Sequence, residues 1–202
     1  MAVRTPDPDP DGASDDGLDD NGFVGGSLPG VGPGWLSDLE LEQVRQRMPI
    51  LYVEAVPVRV DGLGQVTEVG LLLRANAVGE ITRTVVSGRV MYGETLRDAL
   101  FRHLEKDLGP MAFPQLPASP VPFAVAEYFP IPGVSPYHDD RQHAVSLAYV
   151  VPVTGTTEPR QDALELTWLS PAEASTAQVG SELEGGRGAL VRAALASVGV
   201  LP

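Results

Sequence analysis

The sequence predicts an α/β sandwich, because segments with the composition of β-strands alternate with amphipathic helices along the chain. The 202 residues suit one domain of ordinary size together with extensions. Apolar residues make up 43% of the chain, which is enough to form a hydrophobic core. We therefore expect one folded domain over residues 34–202.

The strands are predicted from runs of β-branched and aromatic residues that end at turn-forming residues. The first run is PILYVEAVPVRV, and the segment DGLGQ (61–65) forms a turn before a return strand at residues 66–74. A long loop, IPGVSPYHDDRQH, precedes the strand at 144–153. The other predicted strands lie near residues 81–86, 123–129 and 164–169.

The helices are predicted from their capping residues and from the spacing of their apolar side chains. Ser37 and Glu40 form a capping-box pattern for a short helix within residues 37–47. The clearest helix covers residues 96–108, with Thr95 as its N-cap and an apolar stripe along one face. Two further helices are expected, one opened by SPAEA (170–174) and one at about 188–197.

The chain is acidic throughout, with a net charge of −13 at neutral pH. Residues 1–33 contain seven aspartates and one arginine, a net charge of −6, so the remainder carries −7. Because both parts repel polyanions, we expect no nucleic-acid duplex and no anionic membrane as a partner, whereas a small phosphorylated ligand stays open. The Asp, Gly, Pro and Ser content of residues 1–33 predicts a disordered acidic tail.

Several classes of protein are excluded by residues and motifs that the chain lacks. There are no cysteines, which excludes disulfides, zinc–thiolate sites and cysteine nucleophiles. The sequence contains no P-loop, no GxSxG elbow, no HExxH and no GxGxxG after a strand. It also shows no secretory-signal pattern, so a cytoplasmic location is the expectation, and a homodimer stays open.

The segment GRVMYGETLRDALFRHLEKDLGP (88–110) resembles the Nudix box of the Nudix hydrolase superfamily. Gly88, Glu94, Arg102, Leu104 and Gly109 lie at the spacing of that motif. The resemblance extends over about residues 50–176 and implies a Nudix-type α/β/α sandwich with a mixed β-sheet. It also implies that Glu94 and Arg102 pair and brace the loop that leads to the site. The RHLEKDLG and HDxRQHAVSLAYVVP segments are similar to those of a Nudix-like family of unassigned function.

The box departs from the pattern where Nudix enzymes hold magnesium against a pyrophosphate. The three glutamates that follow the arginine are replaced by His103, Lys106 and Asp107, which share one helix face. Only Asp107 keeps a carboxylate, and magnesium prefers oxygen ligands to imidazole. We therefore expect any divalent metal, magnesium or manganese, to be held by His103 and Asp107. The positive charge of Lys106 should weaken its binding.

The histidines are further candidates, because all three lie in the box or in the long loop. His138 and His143 flank the loop Asp139–Gln142, and Nudix folds often take a metal ligand or general base from outside the box. A site that joins them to His103 and Asp107 would suit a softer metal or metal-free acid–base chemistry. The alternative is that the loop histidines are exposed or bond backbone carbonyls.

The arginines near these segments are candidates for phosphate binding. Arg83, Arg89 and Arg141 could each hold a phosphate through two hydrogen bonds, and Lys106 could do so as a point charge. The alternative is a set of surface charges that keeps the domain soluble.

Two functions follow from the resemblance. The first is a divergent Nudix hydrolase that cleaves a phosphoanhydride in a nucleoside diphosphate linked to another moiety, with Glu94, Arg102, His103, Lys106, Asp107, His138 and His143 as its candidate catalytic residues. The second is a Nudix-fold ligand-binding or regulatory module that has lost hydrolysis. The box substitutions favour the second, and the retained Gly, Glu, Arg and Gly positions keep the first open.

Overall fold

The structure is a computed structural model that describes residues 36–75, 79–159 and 163–201. The acidic tail predicted at residues 1–33 lies outside these residues. The described chain forms eight strands: β1 (Ile50–Val60), β2 (Val66–Ala75), β3 (Ile81–Thr84), β4 (Val86–Arg89), β5 (Ala124–Phe129), β6 (Tyr137–His138), β7 (Ala144–Pro152) and β8 (Ala163–Leu169). Its helices are α1 (Asp38–Arg45), α2 (Leu96–Leu108), α3 (Pro171–Ala174), α4 (Ala177–Glu182) and α5 (Arg187–Ser197), and a 3₁₀ turn (Glu184–Gly186) joins α4 to α5.

The strands form one mixed sheet with β1 near its centre. The order along the sheet is β3-β2-β1-β7-β5-β6, while β4 pairs with β1 and β8 pairs with β2. The β1–β7 and β5–β6 pairs are parallel, and the other pairs are antiparallel. On the edge of β1 opposite β7, β4 bonds the first half of the strand and β2 bonds the second half. The sheet therefore separates between β2 and β4.

Helices cover both faces of the sheet, which confirms the predicted α/β/α sandwich. Alternate side chains of β1 enter two different cores. Val56 and Val58 pack in the core that contains Leu190 and Leu195 of α5, whereas Val53 packs in the core that contains α2. Among the described residues, no helix has the length and apolar composition that are needed to cross a membrane.

The helix that carries the box forms as its local sequence predicts. Thr95 caps the first turn of α2 by accepting a hydrogen bond from the backbone N–H of Asp98, and Gly109 ends the helix at φ 87°, a conformation that glycine tolerates best. Leu100, Leu104 and Leu108 are buried against the sheet. The apolar stripe therefore fixes which face of α2 is turned away from the core.

The structure corrects two predictions of secondary structure and adds two elements that were not predicted. The single strand expected at residues 81–86 is two strands, because the chain leaves β2 after Thr84 and joins β1 from Val86 onward. The long loop before β7 contains the short strand β6, which pairs with β5. Helix α4 and the 3₁₀ turn were not predicted.

Candidate functional site

A cavity of about 560 Å³ lies where the long loop and the 3₁₀ turn approach the sheet. Its volume is within the range of small-molecule sites. Charged and aromatic side chains predominate in its lining, which includes Tyr52, Glu54, Arg74, Tyr128, His138, Asp139, Asp140, Arg141, Gln142, Ser146, Glu184 and Arg187.

A buried ion pair lies in the wall of this cavity. Glu54 of β1 is 1% exposed, and its Oε1 accepts a hydrogen bond of 2.6 Å from Nε of Arg187. The Tyr128 hydroxyl donates to both Glu54 oxygens, at 3.1 and 2.9 Å, and the Arg187 guanidinium lies 4.8 Å from the centre of the Tyr128 ring. Burial raises the pKa of Tyr128, so the hydroxyl remains a donor at neutral pH. Burial opposes the charge of Arg187, but the Glu54 carboxylate raises the pKa of Arg187 above its ordinary value.

Two glycines allow Arg187 to reach Glu54. A side chain at Gly186 would place its Cβ 2.2 Å from the carbonyl oxygen of Pro136, and one at Gly185 would lie 2.5 Å from that of His138. Both glycines also have positive φ angles, 60° at Gly185 and 83° at Gly186. The 3₁₀ turn can therefore pack directly against β6, with α5 beginning at the cavity.

Gln142 links the loop of residues 138–142 to two other elements. This side chain is 1% exposed, and its Nε2 donates to the Tyr52 hydroxyl at 2.9 Å and to Asp139 Oδ2 at 3.1 Å. Its Oε1 accepts from Nε of Arg45 in α1 at 2.9 Å. Burial acts to raise the pKa of Asp139, but the bonds from Arg141 and Gln142 lower it below its ordinary value. The loop therefore presents an ionised and fixed carboxylate at the cavity.

In the box, the ion pair implied by the resemblance is present. Arg102 donates to both Glu94 oxygens at 2.7 Å, and its Nη2 also reaches the Arg89 carbonyl at 3.0 Å. Glu94 accepts a further bond of 3.0 Å from the Met91 backbone N–H. Burial acts to raise the pKa of Glu94, but these bonds lower it below its ordinary value. The pair braces the loop between β4 and α2.

His103 faces the backbone of β4. It is 2% exposed, and its Nε2 lies 3.0 Å from the Arg89 carbonyl oxygen, which accepts a hydrogen bond from the neutral ring. Burial, followed by the charge of Arg102, lowers the pKa of His103 to about 4. A Cβ at Gly88 would lie 1.8 Å from Cε1 of His103, so the imidazole occupies the space that this glycine leaves. His103 is a neutral packing residue at pH 7.

Asp107, the carboxylate that the box retains, lies between two cations. Arg74 of β2, which lines the cavity, donates from Nη2 to Asp107 Oδ1 at 2.7 Å. The Lys106 ammonium lies 3.7 Å from the same oxygen, and its side chain is only 5% exposed. The Asp107 carboxylate is therefore shared by the buried Lys106 and the partly buried Arg74, and these three side chains carry a net charge of +1.

These residues do not fit the magnesium ion that Nudix enzymes hold in the box. Magnesium requires several oxygen ligands in near-octahedral geometry, whereas His103 faces a carbonyl and Asp107 faces Arg74 and Lys106. Within the described ranges, no group of three or more His, Asp or Glu side chains is placed to hold a metal ion. The metal site at His103 and Asp107 remains a prediction that these contacts do not favour.

Of the other predicted site residues, His138 and Arg141 line the cavity, whereas His143, Arg83 and Arg89 do not. His138 lines the cavity and bonds Asp140, whereas His143 points away and stacks on Phe129 with 4.3 Å between ring centres. Arg141 lines the cavity and pairs with Asp139. Arg83 forms an ion pair with Glu182 at 2.7 Å, and Arg89 lines a separate apolar groove beside α1.

Sequence reasoning missed Glu54, Arg74 and Arg187, three charged residues that line the cavity. Glu54 could have been noticed as the one charged residue within the otherwise apolar stretch 50–58 of the central strand. Arg187 could have been noticed in the segment GGRG, since paired glycines favour close backbone approach. Nothing local in the sequence indicates that Arg74 meets Asp107.

Comparison with solved structures identifies the class of protein. A protein from Jonesia denitrificans, described as a possible asymmetric diadenosine tetraphosphate (Ap4A) hydrolase, is 60% identical, with a TM-score of 0.75 and coverage of 77% of this chain and 98% of that one. A NUDIX hydrolase from Nitrosomonas europaea is 14% identical, with a TM-score of 0.56 and coverage of 77% and 93%. The NUDIX domain of Shewanella oneidensis NrtR, in complex with ADP-ribose, is 16% identical, with a TM-score of 0.53 and coverage of 73% and 87%. The chain therefore has the Nudix fold.

A narrower match gives the family within this class. Residues 31–200 match the family described as Domain of unknown function (DUF4916). The chain belongs to that family, a divergent Nudix-like group. None of the curated proteins matches the chain.

Proposed function

We propose that the protein binds a nucleotide-derived ligand in the cavity and offsets its phosphate charge with Arg74 and Lys106 rather than with magnesium held by the box. The single observation that carries this proposal is that Asp107 is shared by both cations. A lone Arg74–Asp107 pair would be neutral. With Lys106 the group keeps one positive charge, and Arg74 brings part of it to the cavity.

The fold supports this choice of ligand class, since the Shewanella oneidensis NUDIX domain of the same fold was solved with ADP-ribose. The composition of the cavity agrees with it. The hydroxyl groups of Thr84, Ser87 and Ser146 in the lining can bond sugar or base atoms. Arg74 would contact the phosphate, while Lys106 would act on it through its charge.

Hydrolysis of a phosphoanhydride is the second candidate function. The observation that favours it is the 60% identity to the Jonesia denitrificans protein, which is described as a possible Ap4A hydrolase. Glu54, Asp139 and His138 line the cavity and are among the side chains that could act as a base on an attacking water. Its substrate would be a nucleoside diphosphate linked to another moiety.

Calorimetric titration of ADP-ribose tests the first proposal. We expect ADP-ribose to bind in excess EDTA, and its affinity should not increase when magnesium replaces the chelator. Lys106→Met removes the charge from a buried side chain of similar length and should weaken binding by about tenfold. Lys106→Arg, which keeps the charge, is the matched control, and its affinity for ADP-ribose should stay within about threefold of the wild-type affinity.

The same samples separate the two candidate functions when they are analysed for product after long incubation. Intact ADP-ribose together with metal-independent binding supports the binding protein. Product release by the wild type would favour the hydrolase. Binding that requires magnesium, or that is unchanged in Lys106→Met, would contradict the role proposed for Arg74 and Lys106.

A further inference from the structure

Helix α1 reaches the wall of the cavity through one side chain. Arg45, the last residue of α1, donates from Nε to Oε1 of Gln142 at 2.9 Å, and the Arg45 side chain is 18% exposed. Gln142 lines the cavity, whereas Arg45 lies outside the lining. An effect of Arg45 on a ligand in the cavity would therefore be exerted through the Gln142 amide.

The partners of Gln142 determine which way its amide is turned. A guanidinium only donates hydrogen bonds, and an ionised carboxylate only accepts them. The amide oxygen must therefore face Arg45, while the amide nitrogen faces Asp139, whose Oδ2 accepts its hydrogen bond at 3.1 Å. The same nitrogen donates to the Tyr52 hydroxyl at 2.9 Å. Reversing the amide would set its oxygen against the carboxylate and its NH₂ group against the guanidinium, so only one orientation satisfies both charges.

Gln142 also ends a short turn that forms part of the cavity wall. Its backbone N–H donates to the Asp139 carbonyl at 3.3 Å, and Asp139 Oδ1 accepts from the backbone N–H of Arg141 at 3.0 Å. These bonds give residues 139–142 their shape, and the Gln142 side chain ties them to α1 and β1. All four residues of the turn line the cavity. The position of this part of the wall therefore depends on how Gln142 is held.

Arg45 is the contact that makes this arrangement depend on α1. Gln142 is 1% exposed, and among the described residues the hydrogen bond to its amide oxygen comes from Arg45. Without that donor, the oxygen would be a buried acceptor with no partner, which costs free energy. The side chain can relieve this cost by turning, and turning breaks its bonds to Asp139 and Tyr52.

We propose that Arg45 is a positioning residue of the ligand site and that it acts through Gln142, whose amide holds the turn of residues 139–142 in place at the cavity. The inference rests on the proposed function, because it takes this cavity as the site of the nucleotide-derived ligand. It goes beyond that function by making α1 a part of the site. Arg74 and Lys106 act on the ligand through their charge, whereas Arg45 acts on the geometry of the wall.

The test compares variants of two arginines by calorimetric titration of ADP-ribose in excess EDTA. Arg45→Met keeps the length of the side chain but removes the donor, and it should weaken binding by about tenfold because the wall is no longer preorganised. Arg45→Lys still offers a donor to the amide oxygen and should stay within about threefold of the wild-type affinity. Arg47→Met is the matched control, since Arg47 lies two residues further along, is exposed and carries the same charge. Its affinity should change by less than about twofold.

A double-variant cycle distinguishes action through Gln142 from a general effect of the Arg45 charge. Gln142→Leu should weaken ADP-ribose binding by about tenfold, and adding Arg45→Met should weaken it by less than about twofold more. Independent effects would instead multiply to about a hundredfold.

A readout in the ligand-free protein is the exchange of the Gln142 side-chain NH₂ protons with solvent, followed by NMR. Exchange should be slow in the wild type and in Arg47→Met, and at least about tenfold faster in Arg45→Met. Urea titration of each variant shows that the domain remains folded.

The outcomes separate this inference from the function on which it rests. If Lys106→Met weakens binding and Arg45→Met does not, the inference is overturned and the proposed function stands. If Arg45→Met weakens binding and Lys106→Met does not, the role proposed for Lys106 fails and the inference stands. Multiplied effects in the double variant, equal effects of Arg45→Met and Arg47→Met, or unchanged exchange of the Gln142 protons also overturn the inference. If the wild type does not bind ADP-ribose, both fail.

Discussion

His103 shows how one substitution in the box changes the role of a position. The imidazole fills the space that Gly88 leaves, bonds the Arg89 carbonyl and is shielded from solvent. The glycine, which the Nudix pattern shares, thereby becomes part of a packing contact. Because burial disfavours the charged ring, His103 adds a neutral group to a site where related enzymes place a carboxylate.

The first prediction concerns the stability of the fold against pH. The folded-state pKa of His103 is lowered from 6.5 to about 4, so the unfolded chain binds a proton first as the pH falls. The contribution of the neutral His103 to the unfolding free energy is complete above pH 6.5. It is lost as the pH falls from about 6.5 to about 4, which lowers the unfolding free energy by on the order of 3 kcal/mol. Urea titrations from pH 7 to 5 should show unfolding free energy decreasing with pH, and His103→Asn should show a clearly shallower decrease. Equal slopes in both proteins would argue against a buried neutral imidazole.

The second prediction concerns magnesium. Lys106→Glu replaces a cation that lies 3.7 Å from Asp107 with a second carboxylate, so repulsion of a divalent ion becomes attraction. Calorimetry should detect weak or no magnesium binding by the wild type and tighter binding by the variant. His103→Glu with Lys106→Glu would bring three carboxylates to the face and should bind more tightly still. Tight binding by the wild type, or no gain in either variant, would contradict the view that Lys106 disables the metal site.

At the scale of single elements, α2 is the part of the molecule that was predicted best. Its start, its end and its buried face depend on residues within a few positions of one another, namely Thr95, Gly109 and the leucines of the stripe. Short strand β6 and helix α4 were missed, because β6 exists only where β5 offers an edge and α4 has no buried residue to mark one face. Elements stabilised by distant partners carry little local signal.

Leu104 provides the prediction at this scale. It is fully buried in the core beneath α2, whereas Phe101, one turn earlier, is 43% exposed. Leu104→Ala should lower the unfolding free energy by roughly 2–5 kcal/mol, because it leaves a cavity between helix and sheet. Phe101→Ala is the control on the same helix and should cost about 1 kcal/mol or less. Denaturant titration measures both, and similar losses would mean that the buried face of α2 has been misidentified.

At the scale of the whole molecule, the pair Glu54–Arg187 connects the central strand to the last helix. The two residues are 133 positions apart, and neither has a sequence neighbour that indicates the other. This separation explains why the box and the fold could be predicted while the centre of the cavity could not. Periodicity and motif spacing report local structure, whereas a buried ion pair requires knowledge of which elements meet.

The fourth prediction concerns this pair. Arg187→Met should lower the unfolding free energy by about 3–5 kcal/mol, because the Glu54 carboxylate is 1% exposed and would lose its counter-charge. Adding Glu54→Gln to Arg187→Met removes the unpaired charge and should recover a large part of the loss. Urea titration of both single variants and the double variant gives the coupling. Additive losses would show that the two side chains do not act as a pair.

The parallel pairing of β1 with β7 also bears on how the domain is made in the cell. Residues 50–58 align with residues 144–152, so the central strand lacks its partner on one edge until most of the chain has left the ribosome. Glu54 gains its counter-charge later still, because Arg187 lies at the start of α5. A chain truncated before Arg187 should therefore remain sensitive to protease, whereas the chain that includes α5 should be resistant. The domain would then reach its protease-resistant fold only when α5 is present, and a product truncated before this helix would be degraded.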